Sequence, residues 1–173
     1  MHRGVRRISG RAEIKDALAY LRLIINPADE VSLRRILNVP RRGIGDKAEE
    51  IISEYAALNS MTMYDALVMV EAISGLQPRV VKAIQAFTEM FVNLRVLHEA
   101  DTEPSVLLAA ALEQSGYLDE LAKSEDPKDE SRRENLSQLE DFAREFEIES
   151  MELAEDGSLL SFLEKVSLIS DSD

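Results

Sequence analysis

The 173-residue chain contains no cysteine and no tryptophan, and aromatic residues make up only 5% of it. Without cysteine it can form no disulfide, no thiolate metal site and no thiol nucleophile. No apolar run approaches the roughly 20 residues that a membrane-spanning helix needs. The basic start MHRGVRRISGR is followed by no apolar segment, so no secretory signal is predicted. We therefore expect a cytoplasmic protein without membrane contact.

The sequence also lacks the residue patterns of catalysis. Its two histidines lie far apart, and its many carboxylate pairs are expected on helix surfaces, with no metal-spaced cluster among them. The stretch GVRRISGRA comes nearest to a Walker loop, but it has one residue too many between its glycines and Arg11 in place of the lysine. We expect no active site, no metal and no cofactor in this chain itself.

Helical periodicity is what the chain has in abundance. Ile14, Ala17, Leu18 and Leu21, for example, follow the spacing of one helix face. No segment alternates with the period of two that is typical of strands, and no internal repeat is present. The sequence predicts an all-α fold, a compact single-domain bundle of about eight helices with short connections. Its longest helix is predicted over about 79–97, and the polar residues 123–137 are predicted to be a loop that runs into a helix.

The charge is unevenly distributed along the chain. The net charge of −13 argues against nucleic acid. Residues 1–47, however, hold 11 basic and 5 acidic residues, a net of +6, and the remainder holds 9 and 28, a net of −19. Two interpretations stay open: the charges are solvated helix faces, or a phosphate contact lies in the first quarter of the chain.

The most basic turn is NVPRRGIGDKAEEII, residues 38–52. Proline ends the preceding helix, and the two glycines leave the backbone unshielded beside a new helix, whose first N–H groups carry a partial positive charge. Such a corner can bind a phosphate. Ile44 either packs inward or leans on a sugar. The candidate DNA-binding residues are Arg41, Arg42, Gly43, Ile44, Gly45 and Lys47.

The same corner has a simpler interpretation as a plain connection between helices, with arginines present for solubility. Asp46 favours that interpretation, because with Glu49 it forms a capping-box pattern and would compete for the same N–H groups. Gly-Ile-Gly also loosely resembles the helix-hairpin-helix DNA motif, although Glu49 stands where that motif has a small residue. The residues alone leave both interpretations open.

A longer stretch, RAEIKDALAYLRLIINPADEVSLRRILNVPRRGIGDKAEEI over residues 11–51, closely resembles bacterial superfamily 1 DNA helicases of the UvrD/PcrA/Rep family. It is similar to the start of their helical subdomain 2B. SGYLDEL, RRENLSQLEDF and SLLSFLEKVSLISDSD follow in the family's order. The resemblance implies a 2B-like subdomain over 13–173. Residues 1–12 are expected to be an altered or engineered lead-in, because the aromatic-rich segment that usually precedes EIKD is missing.

The resemblance implies a regulatory module excised from an ATP-dependent 3'-5' DNA helicase of repair or replication, in which it modulates unwinding by swivelling as a rigid body, with ATP and Mg bound elsewhere in the parent. It places a weak, sequence-independent duplex DNA contact on Gly43, Ile44 and Gly45. Arg41, Arg42 and Lys47 are added from charge and position. Other subdomains of the parent are expected partners, as are repair or transcription proteins. The alternative is a protein-interaction module that docks such proteins through its acidic helical face, and a free-standing enzyme has no residues to support it.

Overall fold

The computed structural model describes residues 3–171. Met1 and His2 of the predicted lead-in, and the last two residues of the predicted 13–173 domain, lie outside the described residues. Within 3–171 the chain forms ten α-helices, one short 3-10 turn and no strand, which confirms the all-α prediction with two more helices than expected. The helices are α1 (Arg3–Ile8), α2 (Ala12–Ile25), α3 (Glu30–Ile36), α4 (Asp46–Leu58), α5 (Met63–Val68), α6 (Pro78–Glu99), α7 (Pro104–Gln114), α8 (Tyr117–Ala122), α9 (Pro127–Glu152) and α10 (Leu159–Ser170).

Helix α2 is the centre of the bundle. It contacts α3, α6, α7, α9 and α10, and most of its circumference is buried. Ile14, Ala17, Leu18 and Leu21 are all buried, as their spacing predicts, and Tyr20 is fully buried beside them. A helix that is apolar on most sides must be enclosed by others. No helix of the described range is long and apolar enough to cross a membrane.

The longest helix of residues 3–171 is α9, with 26 residues, rather than α6, with 22. The polar stretch 123–137 does run into a helix, as predicted, but its loop part is short, because α9 begins already at Pro127. Asp126 caps α9 by accepting a hydrogen bond from the backbone N–H of Lys128 at 2.9 Å, and Pro127 occupies the first helical position, where no N–H is needed. Charged residues dilute the apolar pattern there, so the periodicity becomes visible only from Leu136 onward.

Two short helices escape sequence-based prediction. In α1, Val5 and Ile8 are buried and join the core through α9 and α10, so the division at residue 12 coincides with no break in the packing. Helix α8 follows Gly116, which adopts a left-handed φ of 80°. Each helix has six residues, fewer than two turns, and that is too short to show a period of 3.6.

Two carboxylates on α2 are exceptions to the expectation that acidic side chains lie on helix surfaces. Asp16 is buried and accepts hydrogen bonds from Arg35 Nε at 2.8 Å and from the Tyr117 hydroxyl at 2.7 Å. Glu13 is buried and accepts one from Asn135 Nδ2 at 2.8 Å. Burial and the Asp16 carboxylate raise the pKa of Tyr117. These bonds tie α2 to α3, α8 and α9. Within residues 3–171, no group of three or more His, Asp or Glu side chains could hold a metal ion.

Candidate nucleic-acid interface

The segment between α3 and α4, residues 37–45, is the glycine corner. It contains a cis Val39–Pro40 peptide bond, and Gly43 adopts φ +80°, a conformation that side-chain-bearing residues rarely adopt. Ile44 follows and is only 2% exposed. Of its two predicted positions Ile44 therefore takes the inward one and anchors the corner to the core. The glycine backbones on either side of Ile44 are left at the surface.

The capping-box prediction for α4 is wrong. Gly45 is the N-cap residue, and no side chain caps this helix. Asp46 is the first helical residue, and Glu49 accepts a hydrogen bond from Arg34 Nη1 of α3 at 2.8 Å. Because Glu49 is engaged across the helix pair, it does not reach back to the helix start. The competition of Asp46 for the first N–H groups, expected from the sequence, is absent from this arrangement.

Gly43, Gly45 and Lys47 line one side of a cleft of about 370 Å³, and Gly75 and Arg79 line the other. Arg79 belongs to the first turn of α6, which has no side-chain cap and no acidic residue in that turn. Two helix N-termini, each with partial positive charge, therefore border one cleft together with a lysine and an arginine, and the first turn of α4 also carries the carboxylates of Asp46 and Glu49. This arrangement suits an anion such as a phosphate. We name it the two-helix cleft.

Sequence-based prediction missed the α6 side of the two-helix cleft. The signal was present, because Gly75, Pro78 and Arg79 repeat the elements of the corner: a glycine, a proline and a basic residue at a helix start. Gly75 also adopts a left-handed φ of 92°. About thirty residues separate the two segments in the chain, and only the packing of α6 against α2 and α5 brings them together.

Arg41 does not line the two-helix cleft. It is exposed and lines a separate cleft of about 700 Å³, together with Asp119, Glu120, Lys123 and Asp129. Three of these neighbours are acidic, so the surroundings of Arg41 attract cations as readily as anions. The structure therefore divides the predicted basic residues between two clefts.

Arg42 is turned into the protein. Its Nη1 donates hydrogen bonds to the backbone carbonyls of Ile36 at 2.6 Å, Leu37 at 3.0 Å and Val39 at 3.3 Å. Its Nη2 donates to the Tyr20 hydroxyl, and its guanidinium carbon lies 5.1 Å from the centre of the Phe87 ring. A guanidinium over an aromatic face is stabilised by the ring's electron density. Arg42 thus ties the corner to the end of α3, to α2 and to α6.

Asn38 holds the corner backbone. Its side-chain oxygen accepts hydrogen bonds from the backbone N–H of Arg42 at 2.7 Å and of Ile44 at 3.2 Å. The Tyr20 hydroxyl donates to the Val39 carbonyl. Burial raises the pKa of Tyr20 although the Arg42 charge works in the opposite direction, so the hydroxyl keeps the proton that it donates.

Comparison with known proteins supplies the family to which this all-helical domain belongs. Residues 6–173 match the family described as UvrD-like helicase C-terminal domain, and the chain belongs to that family. It is 44% identical to the ATP-dependent DNA helicase UvrD1 of Mycobacterium leprae over 93% of its length. It is 40% identical to the ATP-dependent DNA helicase PcrA of Staphylococcus epidermidis over 98%, and 36% identical to PcrA of Bacillus subtilis over 94%.

The chain spans less than a quarter of the length of these relatives, between 21% and 23%. It corresponds to the helicase C-terminal domain of UvrD/PcrA DNA helicases. The activity of the whole relatives therefore concerns a much longer polypeptide than these 173 residues.

Proposed function

We propose that the chain is the 2B-like regulatory subdomain of an ATP-dependent 3'-5' DNA helicase, and that it contacts the backbone of duplex DNA through the two-helix cleft. Gly43, Gly45 and Lys47 form one side of this contact, and Arg79 adds a second cation on the other. The names of the relatives, ATP-dependent DNA helicases, support the parent activity. ATP and Mg would bind to other parts of such a parent.

The observation that carries the proposal is the pair of uncapped helix N-termini at one cleft. N–H groups at a helix start bind phosphate oxygens, and glycine lets a sugar–phosphate chain come close to the backbone. Contacts to phosphate from N–H groups, a lysine and an arginine carry no information about the base sequence. The contact would thus be independent of sequence, with a dissociation constant in the non-specific range of about 10⁻⁴ to 10⁻⁶ M.

The charge distribution supports a contact confined to one edge. The chain after Lys47 has a net charge of −19, which repels DNA from most of the surface. The continuous core of α-helices supports the regulatory part of the proposal, because a subdomain that swivels as a rigid body needs its own hydrophobic core. In the parent, swivelling would move the two-helix cleft toward or away from the duplex and so modulate unwinding.

The substitution Gly45→Ala tests the contact. A Cβ at Gly45 would meet no atom within 4 Å and its φ of −82° suits alanine, so the fold accepts it, at a capping cost of about 1 kcal/mol or less. The methyl group would stand where the phosphate approaches. We expect binding of a short labelled duplex to weaken about tenfold, the factor given by a loss of about 1.4 kcal/mol.

The matched control is Gly10→Ala, since Gly10 is equally open and lies outside the cleft. Fluorescence anisotropy at low salt measures both variants, and thermal unfolding verifies that they are folded. Equal affinity of Gly45→Ala, Gly10→Ala and the unsubstituted chain would contradict the proposed contact.

A second candidate function is protein docking through the acidic face. Near the end of α9, Ile148, Met151 and Leu153 are exposed among glutamates, and 83% of Met151 is accessible. Exposed apolar side chains ringed by charges are typical of protein-binding patches. If purified bacterial RNA polymerase binds the chain, Met151→Ser should abolish that binding and Gly45→Ala should leave it intact. The opposite pattern, or no binding, would exclude this partner.

A further inference from the structure

We propose that Arg42 is a positioning residue of the DNA contact: it fixes the shape of the glycine corner from inside and does not touch phosphate. The inference rests on the proposed function and deepens it, because it separates the basic residues that bind DNA from the one that shapes the site. Three observations carry it: the bonds of the guanidinium, the bonds of the Arg42 backbone and the place of Gly43 and Ile44.

The guanidinium is committed to the protein. It donates to the carbonyls of Ile36, Leu37 and Val39 and to the Tyr20 hydroxyl, and it lies over the Phe87 ring. The carbonyls of Ile36 and Leu37 lie at the end of α3. The last carbonyls of an α-helix have no hydrogen-bond partner within the helix. Moving the guanidinium to a phosphate would leave the Leu37 carbonyl without a partner, and it would take one of two donors from the carbonyls of Ile36 and Val39, which makes that movement unfavourable.

The backbone of Arg42 is fixed as well. Asn38 accepts a hydrogen bond from its N–H and another from the N–H of Ile44, so both neighbours of Gly43 are held by one side chain. Ile44 is buried beyond it. Gly43 must bridge these two fixed points and does so with φ +80°. The direction of the glycine backbone toward the two-helix cleft therefore depends on Arg42 and Asn38.

Arginine is required in this position for geometric reasons. The planar guanidinium donates to carbonyls and a hydroxyl at the same time, and its flat face also stacks on a ring. The compact ammonium of lysine cannot make these hydrogen bonds and stack on the ring together. Charge alone, by contrast, is the same in arginine and lysine. The substitution Arg42→Lys therefore distinguishes a phosphate ligand from a positioning residue.

The test compares the unsubstituted chain with Arg42→Lys, Arg42→Met, Lys47→Ala and Arg95→Met. Arg95 is the matched control: it also lies over aromatic rings and donates a hydrogen bond to a tyrosine, but it bonds to no residue of the glycine corner. Anisotropy of a short labelled duplex is recorded between about 50 and 200 mM salt. The slope of log K against log salt changes by about 0.9 for each phosphate that the protein ceases to neutralise.

We expect Arg42→Lys and Arg42→Met both to weaken binding, by about tenfold, with an unchanged salt slope. Lys47→Ala should lower the magnitude of the slope by about 0.9, and Arg95→Met should bind like the unsubstituted chain. The proposal is overturned if Arg42→Lys retains full affinity, if Arg42→Met lowers the slope as Lys47→Ala does, or if Arg42→Met binds normally.

A measurement without DNA separates this proposal from the proposed function. Backbone ¹⁵N relaxation of residues 43–45 should show a mobile corner in Arg42→Lys and an ordered one in Arg95→Met, while unfolding curves show that both are folded. If the unsubstituted chain binds no DNA, the proposed function fails, and the relaxation data still decide whether Arg42 shapes the corner. An ordered corner in Arg42→Lys would overturn the positioning role in either case.

Discussion

Arg42 of the glycine corner and Arg95 of α6 occupy comparable environments, each beside a phenylalanine of α6. Arg42 lies over the rings of Phe87 and Tyr20, with distances to the ring centres of 5.1 and 6.0 Å. Arg95 lies over those of Tyr64 and Phe91, with distances of 4.6 and 6.0 Å. Each donates a hydrogen bond to a tyrosine hydroxyl. The rings themselves are connected, because Phe91 packs against both Phe87 and Tyr20.

The two arginines differ in what the remaining donors do. The Nη1 of Arg42 satisfies three backbone carbonyls beside the glycine corner, whereas Nε and Nη2 of Arg95 are buried and have no hydrogen-bond partner within the described residues. A buried, unpaired donor costs free energy. The same residue type on the same kind of ring thus bonds to the backbone of a loop in one place and to a single tyrosine hydroxyl in the other. What an arginine does is decided by the acceptors around it.

The largest expected effect concerns the anchor of the corner. Ile44→Ala should lower the free energy of unfolding by about 2–5 kcal/mol, because a side chain that is 2% exposed leaves a cavity when it is truncated. Val96→Ala, next to Arg95 but 60% exposed, should change it by less than about 0.5 kcal/mol. Urea unfolding of both variants measures the difference. Similar small losses would mean that Ile44 is not an anchor.

The two arginine variants should differ in their free energy of unfolding. Arg42→Met should cost about 2–3 kcal/mol, since the end of α3 is deprived of charge-assisted hydrogen bonds. Arg95→Met should stay within about 1 kcal/mol of the unsubstituted chain, because it removes two unpaired donors along with one hydrogen bond and two ring contacts. Chemical denaturation measures both, and a larger destabilisation by Arg95→Met than by Arg42→Met would show that the backbone hydrogen bonds of Arg42 contribute little to stability.

The smallest effect is a pH dependence. The pKa of Tyr20 is raised above its ordinary value of 10.0, mainly by burial. The unfolded chain therefore loses this proton first, and stability falls as the pH rises above about 10, by up to about 1.4 kcal/mol per pH unit for each such tyrosine. Tyr20→Phe should unfold with a shallower pH dependence in that range. An identical pH dependence would show that Tyr20 titrates normally.

Much of the fold follows from residue spacing. The buried positions of α2, α6 and α10 were readable because their apolar residues repeat every three or four positions. Asp29, Thr62 and Ser158 cap α3, α5 and α10 through bonds to residues three positions away, which local sequence can indicate. Helices α1 and α8 are too short for such a signal, and their burial comes from distant partners.

The sequence predicts only part of the candidate site, because the rest depends on contacts between residues that are distant in the chain. The Gly-Ile-Gly corner and its basic residues are contiguous, so the sequence located them. The inward turn of Arg42 depends on Tyr20 and Phe87, which lie far away in the chain. The contribution of Arg79 depends on how α6 packs. Charge and proximity in sequence identify a basic segment, but tertiary contacts decide which of its members face a ligand.

An NMR titration of the chain with a short duplex, at low salt and again at higher salt, decides whether the two-helix cleft contacts DNA. We predict amide shifts confined to residues 43–48 and 75–80, on both sides of the two-helix cleft, with smaller shifts when the salt concentration is raised. Shifts centred on Arg41 and the acidic cleft around it, or no shifts at the corner of a folded protein, would contradict the account.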